Sequence, residues 1–188
     1  VNDSFIGITS NAGKADINGV EWEGQAILAD DLGRTGSQFR FGWAVGYIDA
    51  DYKEYIDAFG NDVADERVFQ NTPKWTATGT FTYDTPVNLF NTPGMFSVIT
   101  SIAYRDDTSQ FEVPNPFLDQ PSYTLWDLSL VWSQDSGNWS AGIHAKNLGD
   151  KKYKVAGYFF PTLGLENNIT AFYGNPRQIW GTVQYNWF

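Results

Sequence analysis

Between residues 74 and 84 apolar and polar side chains alternate one for one: Trp75, Ala77, Gly79, Phe81 and Tyr83 fall between Lys74, Thr76, Thr78, Thr80, Thr82 and Asp84. A period of two sorts these residues onto the two faces of an extended strand, whereas a helical period of 3.6 sorts nothing. The pattern recurs at 39–49, where Phe39, Phe41, Trp43, Val45 and Tyr47 share a face, and at 124–132 with Trp126, Leu128, Leu130 and Trp132. It appears again at 139–146, where Trp139, Ala141, Ile143 and Ala145 oppose Ser140, Gly142, His144 and Lys146, and near the end in Ile179, Val183, Tyr185 and Trp187. Weaker versions lie at 96–104 and 20–28, and a short first strand is expected at 5–9. The chain therefore reads as all-β, with about eight strands of one amphipathic kind.

The connections alternate in length. Short ones span 30–37, 85–93 with its two prolines, and 133–138; long ones span 53–73, 106–121 and 149–177. Strand, long loop, strand, short turn is the rhythm of an antiparallel up-and-down meander whose two ends differ. No helical periodicity, internal repeat or domain boundary interrupts it.

Composition decides what the greasy face meets. Phe, Tyr and Trp make up 17% of the 188 residues and the charged residues only 18%, which excludes a disordered chain and a charged helical bundle. A net charge of −10 with no basic cluster excludes nucleic acid as a partner. The chain has no Cys and one His, so no thiolate site or transition-metal centre is expected, and no cofactor. The ordered Ca2+ spacing is lacking among Asp57, Asp62, Asp65 and Glu66, which read as a solvated acidic loop. No nucleophile elbow, phosphate loop or paired carboxylates suggest an enzyme.

No run of about 18 apolar residues is present, which excludes a transmembrane helix but leaves strands free to cross a bilayer at a mean hydropathy of −0.35. Trp126 and Trp132 stand roughly 20 Å apart along one strand face, close to the spacing of the aromatic girdles of a membrane barrel. Trp43, Trp75, Trp139 and Trp187 lie toward strand ends on the same kind of face and complete the expected belt. Opposite them Glu21, Glu23, His144 and Lys146, with the Thr ladder, face a wet interior. A soluble sandwich whose polar face meets water remains the alternative that periodicity alone allows.

Three segments carry a resemblance. The run Asn11-Ala12-Gly13-Lys14-Ala15-Asp16-Ile17-Asn18-Gly19-Val20-Glu21-Trp22-Glu23 resembles a recurrent barrel segment of TonB-dependent outer-membrane receptors. Asn147-Leu148-Gly149-Asp150-Lys151-Lys152-Tyr153 is similar to the family's Asn-Leu-Phe-Asp-Lys-x-Tyr segment, with Gly149 where Phe is usual. Tyr173-Gly174-Asn175-Pro176-Arg177, followed by an aromatic final strand, is the third match.

The resemblance implies that residues 1–188 are the C-terminal part, about a third, of a transmembrane β-barrel of about 22 strands. The plug domain and TonB box would lie outside the chain. It further implies uptake of a scarce nutrient of the siderophore, haem, cobalamin or oligosaccharide class across the bacterial outer membrane, with the long loops extracellular. Expected partners are outer-membrane lipid and lipopolysaccharide, the remaining barrel strands and plug, TonB through the plug, and the barrel-assembly machinery through the C-terminal strand. In the last loop Tyr158, Phe159, Phe160, Phe172 and Tyr173 are candidates to stack on a flat ligand, and Arg177 to anchor the loop. Two alternatives are a stand-alone eight-stranded barrel with a structural or adhesive role and a soluble carbohydrate-binding β-sandwich.

Overall fold

The computed structural model describes residues 13–160 and 168–187. Among the described residues nine strands form: β1 (Gly13–Asp30), β2 (Gln38–Tyr55), β3 (Trp75–Leu89), β4 (Thr92–Arg105), β5 (Tyr123–Gln134), β6 (Trp139–Lys146), β7 (Lys154–Phe160), β8 (Asn168–Tyr173) and β9 (Gln178–Tyr185). Seven make one antiparallel sheet in the order β1-β2-β3-β4-β5-β6-β9, and β7 pairs only with β8. The sheet is the expected meander, and the strand expected at 5–9 lies outside the described residues.

The strands run further than the alternation suggested. β1 and β2 stay paired to Gly13↔Tyr55, through Asp49, Asp51 and Glu54, with a register shift that leaves Lys53 unopposed. There the phase of the alternation inverts: Asp49 and Asp51, opposite Asn18 and Asp16, stand on the face that is apolar from Phe39 to Tyr47, while Ile48, Ala50 and Ile17 take the other; surface pairs such as Lys14 with Glu54 at 3.4 Å accompany it.

The segment 85–93 is not a loop. β3 and β4 close on a two-residue turn, Phe90-Asn91, with both residues at positive φ (49° and 63°), the conformation whose twist suits a tight hairpin. Pro86 is tolerated because β2 pairs with β3 only as far as Asp84, leaving that side of Pro86 without a ladder partner. Gly36, at φ 83°, brings the 31–37 turn over the Pro86 ring, where an added Cβ would stand 3.1 Å from the Pro86 Cγ.

Among the described residues no second layer covers this sheet. Among the described residues the only buried hydrophobic side chains are Leu118 and Ala145, while Val20, Trp22, Ile143, Ile179 and Val183 are more than half exposed. A soluble sandwich buries one face of each sheet against the other; here, among the described residues, large apolar side chains share one face with no second sheet packed on it.

Candidate functional site

Residues directly opposed in an antiparallel ladder point to the same face, so the register assigns the side chains across all seven strands. One continuous face carries Val20, Trp22 and Ala26; Phe39, Phe41, Trp43, Val45 and Tyr47; Trp75, Ala77, Phe81 and Tyr83; then Phe96, Val98, Ile102 and Tyr104. It continues through Trp126, Leu128, Leu130 and Trp132 to Trp139, Ile143, Ile179, Val183 and Tyr185. Rings meet across the strands, as in Phe41 with Phe81 at 4.5 Å, Tyr47 with Trp75 at 4.6 Å and Trp139 with Tyr185 at 4.6 Å.

Trp75, Trp126, Trp132 and Trp139 thus share the apolar face near strand ends. Trp187 lies just past β9 against Tyr185. Trp43 differs from its expected place at a strand end: it stands well inside the lengthened β2, laid over Gly24 and packed on Trp22 at 5.4 Å. Its indole N–H is buried without an acceptor.

The other face carries Glu21, Glu23, Gln25, Arg40, the Thr76–Thr82 ladder, Asp84, Ser97, Ser101, Ser129, Ser140, His144, Lys146, Thr182 and Gln184. Arg40 pairs with Asp84, which also accepts the Ser97 hydroxyl. Both His144 ring nitrogens are satisfied, by Ser129 Oγ and Thr182 Oγ1 at 3.0 Å each. Trp180, which the strand phase could have flagged as pointing away from its neighbours Ile179 and Val183, stacks on the His144 ring at 5.3 Å. Down the middle of this face Gly42, Ala44 and Gly46 leave a trench between the side chains of β1 and β3; a hollow of about 670 Å³ opens on it beside Gln25, Arg40 and Thr82.

At the long-loop end two of the sequence motifs meet. Asn147 Nδ2 donates to the carbonyls of Lys151 (2.9 Å) and Asn175 (3.0 Å), and Asn147 Oδ1 accepts the Lys151 N–H. Asp150 Oδ1 accepts the Arg177 N–H at 2.9 Å, and the Arg177 guanidinium reaches the Leu148 carbonyl. The Tyr153 ring lies on Gly174, where any Cβ would stand 2.1 Å from Cζ, and stacks on Tyr123 at 4.7 Å. Gly149, by contrast, faces open space.

The segment 149–177, expected as a loop, contains the β7–β8 hairpin, and it is fastened to its neighbour. Lys154 Nζ donates to the carbonyls of Phe117 (2.9 Å) and Asp119 (2.7 Å), and the Lys154 N–H to Gln120 Oε1 (2.6 Å). Leu118, the most buried side chain described, fills the space that a side chain on Gly157 would need. The 56–74 connection joins the same body: Val68 N–H donates to the Glu112 carbonyl, Asn71 N–H to the Ser109 carbonyl and Tyr55 Oη to Glu112 Oε2, each at 2.9 Å.

The five candidate aromatics do not form one cluster. Tyr158, Phe160 and Phe172 meet on one face of the hairpin, with Tyr158 to Phe172 at 5.8 Å, and Tyr173 stands exposed at its base. Phe159 points to the other face, into a groove of about 490 Å³ lined also by Gln70, Phe111, Glu112, Val113, Pro114 and Asn115. No periodicity or motif marked Phe111 or Leu118, because loop packing leaves no repeat in the sequence. Among the described residues no group of three or more His, Asp or Glu side chains is placed to hold a metal ion. Asp57 and Asp62 instead accept backbone N–H groups, from Phe59 and Asn61 and from Tyr55 and Ala64 respectively.

Residues 1–148 match the family model described as TonB dependent receptor-like, beta-barrel. Among solved structures the chain is similar to the ferric yersiniabactin uptake receptor FyuA from Yersinia pestis, with a TM-score of 0.70 and 19% sequence identity. The likeness covers 95% of this chain and 24% of that one, so the chain spans about a quarter of the length of the receptor it resembles.

Proposed function

The chain belongs to the TonB-dependent receptor β-barrel family, and from that premise we propose that it forms part of the wall of an outer-membrane receptor that takes up a scarce nutrient. The observation that carries this reading is the pairing of two unlike faces across one uncovered seven-stranded sheet, apolar and aromatic on one side, hydroxylated and charged on the other. In lipid the first face meets acyl chains, with Trp75, Trp126, Trp132, Trp139 and Trp187 as its interfacial belt. The second bounds a polar interior, where the trench over Gly42, Ala44 and Gly46 seats part of a plug domain carried elsewhere in the receptor.

On this reading the short turns are periplasmic and the fastened long loops extracellular. These loops capture the ligand, and energy arrives from TonB through the plug; the chain itself makes and breaks no covalent bond. Siderophore uptake is the favoured transport class, because FyuA is a ferric siderophore receptor. Deleting the complete gene and measuring iron-limited growth and labelled-siderophore uptake tests the proposal. Loss of uptake restored by the intact gene supports it; recovery of the intact protein from the soluble fraction sinks it.

A further inference from the structure

The groove at Phe159 has a chemistry that narrows the ligand. Its walls are Phe111, Val113, Pro114 and Phe159, drawn from two separate loops, and Val113 and Phe159 remain 54% and 39% exposed. Two of the polar groups at its edge are already engaged. Glu112 accepts the Tyr55 hydroxyl, and Asn115 Oδ1 accepts the Phe117 N–H while its carbonyl accepts those of Leu118 and Asp119. The Lys154 clasp and the Leu118 knob hold the two walls together before any ligand arrives, so little ordering is left for binding to impose.

Charge sets the second constraint. Among the described residues the groove's one ionisable lining group is the Glu112 carboxyl, and segment 106–122 carries Asp106, Asp107, Glu112 and Asp119 with no Lys or Arg. Three cations from the surrounding segments are engaged elsewhere: Arg67 lies over the Tyr55 ring at 5.5 Å, Lys154 is held on carbonyls, and Arg105 donates to the Asn71 carbonyl at 3.0 Å. An anion entering here would lose water and meet carboxylates without a compensating partner.

We infer that this groove is a subsite for an uncharged or cationic, apolar or aromatic part of the transported small molecule, and that it discriminates against anionic ligands. The inference rests on the receptor reading for the word "transported"; the groove's preference stands on its own lining. A volume of about 490 Å³ lies within the range of small-molecule pockets.

The test uses the complete receptor in amphipol and three probes of one size: 2-naphthylmethanol, 2-naphthylmethylammonium and 2-naphthalenesulfonate, titrated by saturation-transfer NMR. The alcohol and the ammonium are expected to bind at least tenfold more tightly than the sulfonate, and Phe159→Ala to weaken both by fivefold or more. Val113→Lys, at an exposed position, is expected to strengthen sulfonate binding by at least fivefold, with unchanged heat-modifiable gel mobility reporting an intact barrel. Equal affinity for sulfonate and ammonium, or alcohol binding that Phe159→Ala leaves untouched, overturns the assignment and leaves the receptor reading standing. The expected probe ranking in a protein that transports nothing would sink the receptor reading and keep the groove.

Discussion

At the residue scale, two glycines in neighbouring motifs have opposite roles. Gly174 is required by contact: its Cα lies under the Tyr153 ring, and that ring is fixed from the other side by Tyr123. Gly174→Ala forces the ring out of its stack, and an overpacked site of this kind costs about 1–3 kcal/mol. Urea unfolding of the receptor in micelles should show that loss. Gly149 has nothing within reach of an added Cβ, so restoring the family's usual residue with Gly149→Phe should change stability by no more than about 0.5 kcal/mol. The motif made the position of Gly149 legible, but only the fold shows that its missing ring leaves no hole.

Asp57 gives a pH dependence with a definite sign. Backbone hydrogen bonds from Asn61, and then from Phe59, hold its carboxyl below the ordinary aspartate value. Because the folded pKa is depressed, the turn's added stability is complete above the ordinary aspartate range and is lost as pH falls through the folded value. Amide protection at Phe59 and Asn61 should therefore fall on acidification. Asp57→Asn should remove that pH dependence, and a turn equally protected at acid pH would contradict the assignment.

At the scale of elements, the long loops behave as parts of one body. Lys154→Met keeps the packing stem and removes the two carbonyl contacts to Phe117 and Asp119. Hydrogen bonds from a charged donor contribute about 1.5–3 kcal/mol when well shielded, and one of these two is exposed, so the lower end applies. Amide exchange in β7 and β8 should accelerate roughly tenfold, since 1.4 kcal/mol corresponds to a factor of ten, while β3 and β4 stay unchanged. Exchange rates that do not move would mean that Leu118 and the Lys154 N–H bond to Gln120 hold the hairpin without the ammonium group.

The strands of the large sheet were legible because two unlike faces write a period of two into Trp75–Tyr83 and Leu125–Trp132. The rest was not, for physical reasons. Beyond Tyr47 the phase inverts: Asp49 and Asp51 stand on the face that is apolar from Phe39 to Tyr47, so the alternation continues there with the two faces exchanged. In β7 the run Lys154-Val155-Ala156-Gly157-Tyr158-Phe159-Phe160 alternates nothing, because one hairpin face packs on Leu118 and the groove while the other gathers its own rings. Pro86 and Pro93 looked like breakers and stand in strands, since a proline next to an unpaired edge costs no ladder bond.

At the scale of the whole molecule, the edges decide what the chain can be. Among the described residues β1 pairs only with β2 and β9 only with β6. In hydrocarbon each unpaired N–H or C=O costs several kcal/mol, so a sheet with two open edges does not persist there. Closing it by pairing β1 with β9 would make a narrow barrel, whose interior must be filled by interlocking side chains. Down its middle the polar face offers Gly42, Ala44, Gly46 and a ladder of threonines instead, which leave a trench open between the larger side chains and suit a wide interior better than a narrow one.

Residues 1–188 expressed alone and refolded into lipid should therefore give no heat-modifiable monomer, whereas the complete gene product should. Supplying the remaining strands as a second polypeptide should restore the shift. A heat-modifiable, protease-resistant monomer from the 188-residue chain alone would show that it closes on itself, and the stand-alone barrel would then replace the wide-walled receptor.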